Sequence, residues 1–223
     1  MRTTGISIAA ACLAVALTSQ ADAAEPGFYV AVTAGSGDEN PKSDGTNFAS
    51  SQGVIHVDPD QVDVNDGSFA WGVGIGYRIN DHLAAEVEYA DFGTTDVHEH
   101  YTVPNPGPFP FPTELDLTYS STVTGPVLSV LGTLPVGHGV ELYARGGALF
   151  ASREYELTGQ FSIGGQKQKF ASTVWLAGAG VSWSFAKRWA IRAEYQQTGD
   201  LDESLVTGET RVKRASLSAL YRF

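Results

Sequence analysis

The sequence predicts an all-β fold: an eight-stranded antiparallel up-and-down barrel that crosses a membrane, behind an N-terminal signal peptide. Three observations carry this reading. Eight segments alternate apolar and polar residues with period two, at 27–35, 68–79, 83–92, 119–134, 140–152, 170–185, 189–198 and 212–223. Each matches or exceeds the ~9 to 11 residues that a tilted strand needs to cross a bilayer. The links alternate too, long at 36–67, 93–118, 153–169 and 199–211 and short at 80–82, 135–139 and 186–188. Such sorting puts both termini and the short turns on one side, as in a barrel inserted from that side of a membrane. The third observation is aromatic placement, with all four tryptophans near strand ends. A soluble eight-stranded barrel is the alternative, with its charged face in water and its apolar face around a pocket.

The first 23 residues, MRTTGISIAAACLAVALTSQADA, carry Arg2, an apolar run from Ile6 to Leu17, and Ala21-Asp22-Ala23. That order of charge, grease and A-x-A is a cleavable secretory signal, so residues 24–223 form the barrel domain. The only cysteine, Cys12, falls inside the signal, which excludes disulfides and thiolate chemistry from the mature chain. Removing Arg2 and Asp22 with the signal leaves the net charge at -11, which argues against nucleic-acid phosphate as a partner.

Along the mature chain, GFYVAVTAGSG opens the first strand. WGVGIGYRI sets Trp71, Val73, Ile75, Tyr77 and Ile79 against Gly72, Gly74, Gly76 and Arg78. LAAEVEYADF opposes Leu83, Ala85, Val87 and Tyr89 to Glu86 and Glu88, and WAIRAEYQ opposes Trp189, Ile191, Ala193 and Tyr195 to Arg192 and Glu194. The fourth segment, with Gly125-Pro126, leaves its parity open. SLSALYRF ends the chain with Leu217, Ala219, Tyr221 and Phe223 on one face. No segment sustains a 3.6-residue period, so no helix is expected. In the up-down order, Trp71, Tyr89, Trp175 and Tyr195 fall toward the long-loop rim. Phe28, Tyr77, Trp183, Phe185, Trp189, Tyr221 and Phe223 fall toward the short-turn rim, giving two aromatic girdles at headgroup level.

The opposite face collects Arg78, Glu86, Glu88, Glu141, Arg145, Arg192, Glu194 and Arg214, four bases and four acids. Eight strands enclose an interior just wide enough for side chains, so these charges are expected to pair as a polar plug, with a gated ion path as the alternative. Loop 36–67 holds Asp38, Glu39, Asp44, Asp58, Asp60, Asp63 and Asp66 against Lys42, without the order of a calcium loop. It reads as a solvated, self-repelling loop, with weak divalent binding as the alternative. His98-Glu99-His100 offers two imidazoles, short of the three or four ligands of a zinc site, so no resident metal is expected. PNPGPFPFP at 104–112 favours an extended, semi-rigid segment with Phe109 and Phe111 between prolines. Arg153, Lys167, Lys169, Arg211 and Lys213 fall at the outer strand ends, where cations suit lipopolysaccharide phosphates. No G-x-S-x-G elbow or H-x-x-E-H pattern is present, so neither an enzyme nor a cofactor is expected.

The signal peptide, GFYVAVTAGSG, the eight alternating segments and the terminal LYRF together resemble the small OmpA-type, OmpX-type and opacity-type outer-membrane barrels of Gram-negative bacteria. The resemblance spans about residues 24–223 and implies an outer-membrane location. It also implies that the outer-membrane assembly machinery reads the final strand through its terminal aromatic. With no peptidoglycan-binding domain after that strand, cell-wall tethering is not implied. The expected role is a monomeric, surface-exposed structural or adhesion-like protein with a plugged lumen and four long extracellular loops that set any partner. A narrow porin-like barrel for small or lipophilic solutes is the alternative, and a rim-site lipid-modifying enzyme the third.

Overall fold

Alternating side chains commit the backbone to sheet, and a sheet in lipid must satisfy every N–H and C=O between strands. The computed structural model describes residues 26–40, 46–50, 53–65, 68–102, 114–159, 166–201 and 211–223. The signal at 1–23 and the proline-rich 104–112 lie outside these. Every regular element described is a strand: β1 (Gly27–Asn40), β2 (Thr46–Ser50), β3 (Gly53–Val57), β4 (Gln61–Asn65), β5 (Ser68–Asn80), β6 (Leu83–Thr102), β7 (Glu114–Gly137), β8 (Val140–Gly159), β9 (Gln166–Ser184), β10 (Trp189–Thr198) and β11 (Arg211–Arg222). Eight of them close a ring in the order β5, β1, β11, β10, β9, β8, β7, β6 and back to β5, each antiparallel to its neighbours. The closing seam runs from Tyr29↔Arg222 to Asn40↔Arg211. Inside it, the hydroxyls of Thr33 and Ser218 share a 2.8 Å hydrogen bond. β2 and β3 form a separate hairpin within the first long connection.

The strands run further than the alternating segments suggest. Residues 93–102, 114–118, 153–159 and 166–169, expected as loop, continue β6, β7, β8 and β9. At 24 residues, β7 is far longer than the ~9 to 11 needed to span hydrocarbon. The outer surface shows where the membrane ends. Outward apolar side chains stop near Tyr89 on β6, Phe150 on β8 and Trp175 on β9. Past that level the outward positions are Asp96, His98 and His100 on β6, Thr118, Ser120 and Thr122 on β7, and Glu154 on β8. Polar residues of this kind form a sheet wetted on its outside, and the polarity of those outside the predicted segment 119–134 made them read as loop. β4 pairs with β6 above the top of β5, Val64 opposite Val97, and so adds to this projecting wall.

Two irregularities set the side-chain parity. Between Asp91↔Thr124 and Thr94↔Thr122, Phe92 and Gly93 together oppose one residue, a β-bulge with Gly93 at φ 92°. Below it the even residues of β6 point inward (Glu86, Glu88, Phe92), and above it the odd ones do (Thr95, Glu99, Tyr101). The β7–β8 turn is closed by Gly137↔Val140 over His138 and Gly139, both at positive φ (55° and 75°), as a tight hairpin requires. The parity of β7 is settled by burial: Val123, Val127, Ser129 and Leu131 face in, Leu128 and Val130 face out.

The core is the barrel interior, with two apolar tiers. The lower comprises Tyr29, Ala31, Ala84, Leu131, Tyr143, Ala190 and Leu220. The upper is built around Phe92, Val123, Val127, Leu149, Leu176 and Val212. A side chain at position 93 would run into Ser68 Oγ and the Phe69 carbonyl. Gly93→Val therefore adds a strained backbone, about 1–3 kcal/mol, to that collision. We expect the folded, heat-modifiable form to convert to the unfolded form at lower temperature on gel electrophoresis, with Gly146→Val, where nothing lies within 4 Å, changing little.

Candidate functional site

Between the tiers the inward positions carry charge. All eight expected lumen residues (Arg78, Glu86, Glu88, Glu141, Arg145, Arg192, Glu194 and Arg214) are buried. Arg145 on β8 sits at the centre, bonding Glu86 with one terminal nitrogen and Glu88 with the other at 3.0 Å, while its Nε lies 3.1 Å from Glu194. Arg192 reaches Glu86 at 2.9 Å, and Arg214 reaches Glu88 at 2.8 Å. β10 and β6 are four strands apart around the ring of eight, so Arg192–Glu86 crosses the full lumen. Arg78 and Glu141 form a separate two-pronged pair near the short turns, at 3.0 and 2.8 Å. Such forked pairing satisfies guanidinium and carboxylate together, the condition under which buried charges persist.

Alternation in the sequence pointed to the charges but not to what completes them. Tyr29 and Tyr143 donate to Glu86 (2.9 Å) and Glu194 (2.7 Å), and Gln196 donates to Glu194 at 2.6 Å. Arg192 lies 5.0 Å from the Tyr143 ring centre and Arg214 4.9 Å from that of Phe92. Tyr143 shares its parity with Glu141 and Arg145, so the signal was present.

Above the upper tier lies a second charged group. Arg153, expected at the outer surface against lipopolysaccharide, points inward instead. Its Nη2 lies 3.2 Å from Glu39, its Nε donates to Ser121 Oγ at 2.9 Å, and it stacks 4.3 Å from the Tyr155 ring centre. The reason is parity, since β8 runs on past residue 152 and its odd positions keep facing in. Glu39 changes assignment for the same reason: β1 extends through it and buries it, so it is no solvated loop acid. Glu39 and Arg153 stand on strands four apart in the ring. Glu99, beside the two histidines, also faces in and accepts a 2.5 Å bond from Tyr101.

Of the other four cations, Lys169 and Arg211 face outward but have carboxylate partners. Lys169 pairs with Glu154 at 2.9 Å, and Arg211 grips Asp200 at 2.6 and 3.2 Å. Lys213 is half-buried on the same face, and the side chain of Lys167 lies outside the described residues. The girdle residues all face outward. Trp71 and Tyr89 lie 6.3 Å apart at the upper level, with Trp175 and Tyr195 exposed there as well. At the lower level Phe28–Tyr77 (4.7 Å), Trp183–Phe185 (5.9 Å), Trp189–Tyr221 (5.0 Å) and Tyr221–Phe223 (5.4 Å) form contacts. Phe69 and Phe150 add to the upper level and were not foreseen. Tyr89 and Trp175, expected at strand ends, lie inside long strands because β6 and β9 continue past the girdle.

His98 and His100 share the outer face without sharing a ligand. His98 Nδ1 contacts Thr118 Oγ1 at 2.9 Å, and His100 Nδ1 contacts Asp116 at 2.7 Å. Among the acids of 36–67, Asp60 accepts from the Thr102 N–H at 2.7 Å and Asp63 pairs in register with His98. Asp44 and Asp66 lie outside the described residues. The Thr102 hydrogen bond holds Asp60 below the usual carboxylate range. The Asp116 carboxylate, through its hydrogen bond first and its charge second, raises His100 above the usual imidazole value.

A closed ring of eight strands, lipid-compatible outside and charge-paired inside, defines an integral outer-membrane barrel. The chain belongs to the outer membrane protein beta-barrel domain family, whose description matches residues 7–223. It is 28% identical over 205 residues to outer membrane protein P5 of Haemophilus influenzae, covering 88% of this chain but only 52% of that protein. The chain thus spans about half the length of that curated relative. Its fold is similar to the crystal structure of Neisserial surface protein A, with TM-score 0.50, 17% identity, and 88% and 97% of the two chains covered.

Two predictions follow from this geometry. Arg145→Met leaves three buried glutamates short of a partner and is expected to cost roughly 3–5 kcal/mol. Urea unfolding in liposomes measures it, and Arg145→Met with Glu86→Gln should lose less than the sum of the single changes. Because folding raises the His100 pKa, its pairing stabilises the wall fully below the unfolded value and is lost as pH rises through the folded one. In NMR titration Asp116→Asn should move the His100 midpoint down, and an unmoved midpoint would remove Asp116 as the cause.

Proposed function

We propose that this barrel is a noncatalytic, monomeric surface-interaction protein with a closed lumen, adhesion-like in role. One observation carries the reading: β6, β7, β8 and β9 run past the upper aromatic level as a sheet with a polar outer face, above an interior filled by charge pairs and apolar tiers. A filled interior offers solutes no path, whereas a projecting sheet offers an extracellular partner a broad rigid surface. The outward residues Asp96, His98, His100, Thr118 and Ser120 supply polar contacts at positions fixed by backbone pairing.

Two further partners fit this reading. The outer-leaflet lipopolysaccharide meets the outer surface at Lys169 on β9 and at Arg211 and Lys213 on β11, and the assembly machinery takes the strand 211–222 with Tyr221 on its lipid face and Phe223 just after it. Neutralising the three cations should weaken co-purification of lipopolysaccharide. Phe223→Ala should lower assembled barrel more than it lowers the urea midpoint of barrel already folded.

In planar bilayers the purified barrel is expected to give no large, steady single-channel current. Expressed in a non-adherent Gram-negative host, it should confer attachment to host cells or matrix protein. Replacing Asp96, His98, His100, Thr118 and Ser120 together by alanine should reduce that attachment severalfold at equal surface level. Steady conductance would favour narrow transport, altered lipid A by mass spectrometry would favour a lipid-modifying enzyme, and unchanged attachment would remove the wall from the binding surface.

A further inference from the structure

The short-turn rim carries a feature that a binding role at the opposite end does not use. The chain's net charge is -11, yet its short turns at 80–82, 135–139 and 186–188 hold Lys187 and Arg188 against a single acid, Asp81. His82 and His138 are the other titratable side chains there. Asp81 belongs to the β5–β6 turn, and two strands separate that turn from the β9–β10 turn whichever way the ring is followed. The acid therefore stands across the barrel mouth from the two bases. Both bases are exposed, and neither pairs with a carboxylate among the described residues. Arg222 adds a third positive charge just inside the rim, its Nη1 on Ser184 Oγ at 2.8 Å.

The fold places these cations rather than leaving them loose. Ala186 and Trp189 exchange backbone hydrogen bonds at 3.4 and 3.3 Å, which leaves Lys187 and Arg188 as the tip of the turn. The final strand pins that tip. The Arg222 N–H donates to the Arg188 carbonyl at 2.8 Å, and Arg188 Nη1 donates to the Tyr221 hydroxyl at 3.2 Å. The other N–H donors of Arg188 stay available, as do those of Lys187. Behind the tip, Trp183, Phe185 and Trp189 face lipid, each about half exposed. Trp189 also leans on Tyr221 at 5.0 Å. Rings of this kind sit at headgroup level, so the tip just beyond them lies among the lipid phosphates.

We propose that the β9–β10 turn seats an anionic phospholipid in the leaflet opposite the lipopolysaccharide, its phosphate between Lys187 and Arg188 and its acyl chains along Trp183, Phe185 and Trp189. The guanidinium gives the phosphate a planar fork and the ammonium a point charge, both as charge-assisted bonds. The aromatic shelf supplies what a soluble phosphate has no use for, an apolar wall directly below the charge. The assignment needs neither the projecting sheet nor the long loops.

The test titrates dioctanoyl phosphatidylglycerol into the barrel in uncharged maltoside micelles, reading the indole Nε1–H signals of Trp183 and Trp189 by NMR. Saturable shifts are expected, with dioctanoyl phosphatidylcholine binding at least fivefold more weakly and glycerol 3-phosphate, the headgroup without chains, giving none. Lys187→Gln with Arg188→Gln should weaken phosphatidylglycerol roughly thirtyfold, at about fivefold for each cation near an anionic lipid. Should the double variant fail to assemble, Lys187→Gln alone removes a side chain that holds nothing in the fold and should still weaken binding about fivefold. Equal affinity for phosphatidylcholine, or unchanged affinity in the variants, would overturn the assignment. Glycerol 3-phosphate binding as tightly as the lipid would overturn a membrane lipid as the ligand.

Discussion

Hydrocarbon supplies no partner for a backbone N–H or C=O, so a sheet that crosses it cannot leave an edge open. The rest of this structure follows from that constraint. β1 must find β11, nearly the whole chain away, and the twelve register pairs from Tyr29↔Arg222 to Asn40↔Arg211 are the result. Outside the seam stand Val32 and Leu217, and inside it Thr33 and Ser218, small enough to share one hydrogen bond. Closing at eight strands also fixes the bore, because barrel diameter grows with strand number and eight leave room for side chains only. What faces inward has no choice but to pack against what faces inward from the other side.

Within that bore, charge acts on register more than on net stability. A buried ion pair recovers its desolvation cost only with good geometry, so the network contributes little over a well-packed apolar interior. Breaking it is another matter. A one-residue slip of β6 against its neighbours would turn Glu86 and Glu88 toward lipid, leaving Arg192 and Arg214 buried without their glutamates and Arg145 with Glu194 alone. Arg145 alone touches glutamates on two strands, β6 and β10, and Arg192 spans the full ring. The network therefore excludes wrong pairings that the hydrogen-bond ladder by itself would accept.

Much of this was legible because period two is a local signal. Each segment declares which side of itself is greasy, and eight segments with long and short links leave one closed topology. The ends of the strands were not legible, because His98, His100 and Thr118 suit a wetted strand as well as a loop, and only the pairing of β6 with β7 decides between them. Arg153 and Glu39 were misassigned on the same ground. Their parity with Arg145 and with Tyr29 was visible, but the length over which to extend it was not. Partnership was beyond sequence altogether: nothing local in Arg145 names Glu86 and Glu194, which the fold brings together from either side of it in the ring.

The bulge at Phe92 and Gly93 shows how one local irregularity joins the two ends of the molecule while keeping their chemistry apart. Without the extra residue, the even positions of β6 would stay inward, sending His98 and His100 into the bore and Glu99 out. With it, Glu99 meets Tyr101 inside and the histidines meet Thr118 and Asp116 on the wetted face. Phe92 itself turns in, lies against Arg214 at the top of the charge network and forms part of the upper apolar tier. That tier separates the paired charges below from the Glu39–Arg153 latch above. The outer wall is thereby held by backbone pairing and its own side-chain contacts rather than by the lumen network. Its exposed residues can vary while the membrane-embedded barrel keeps one register.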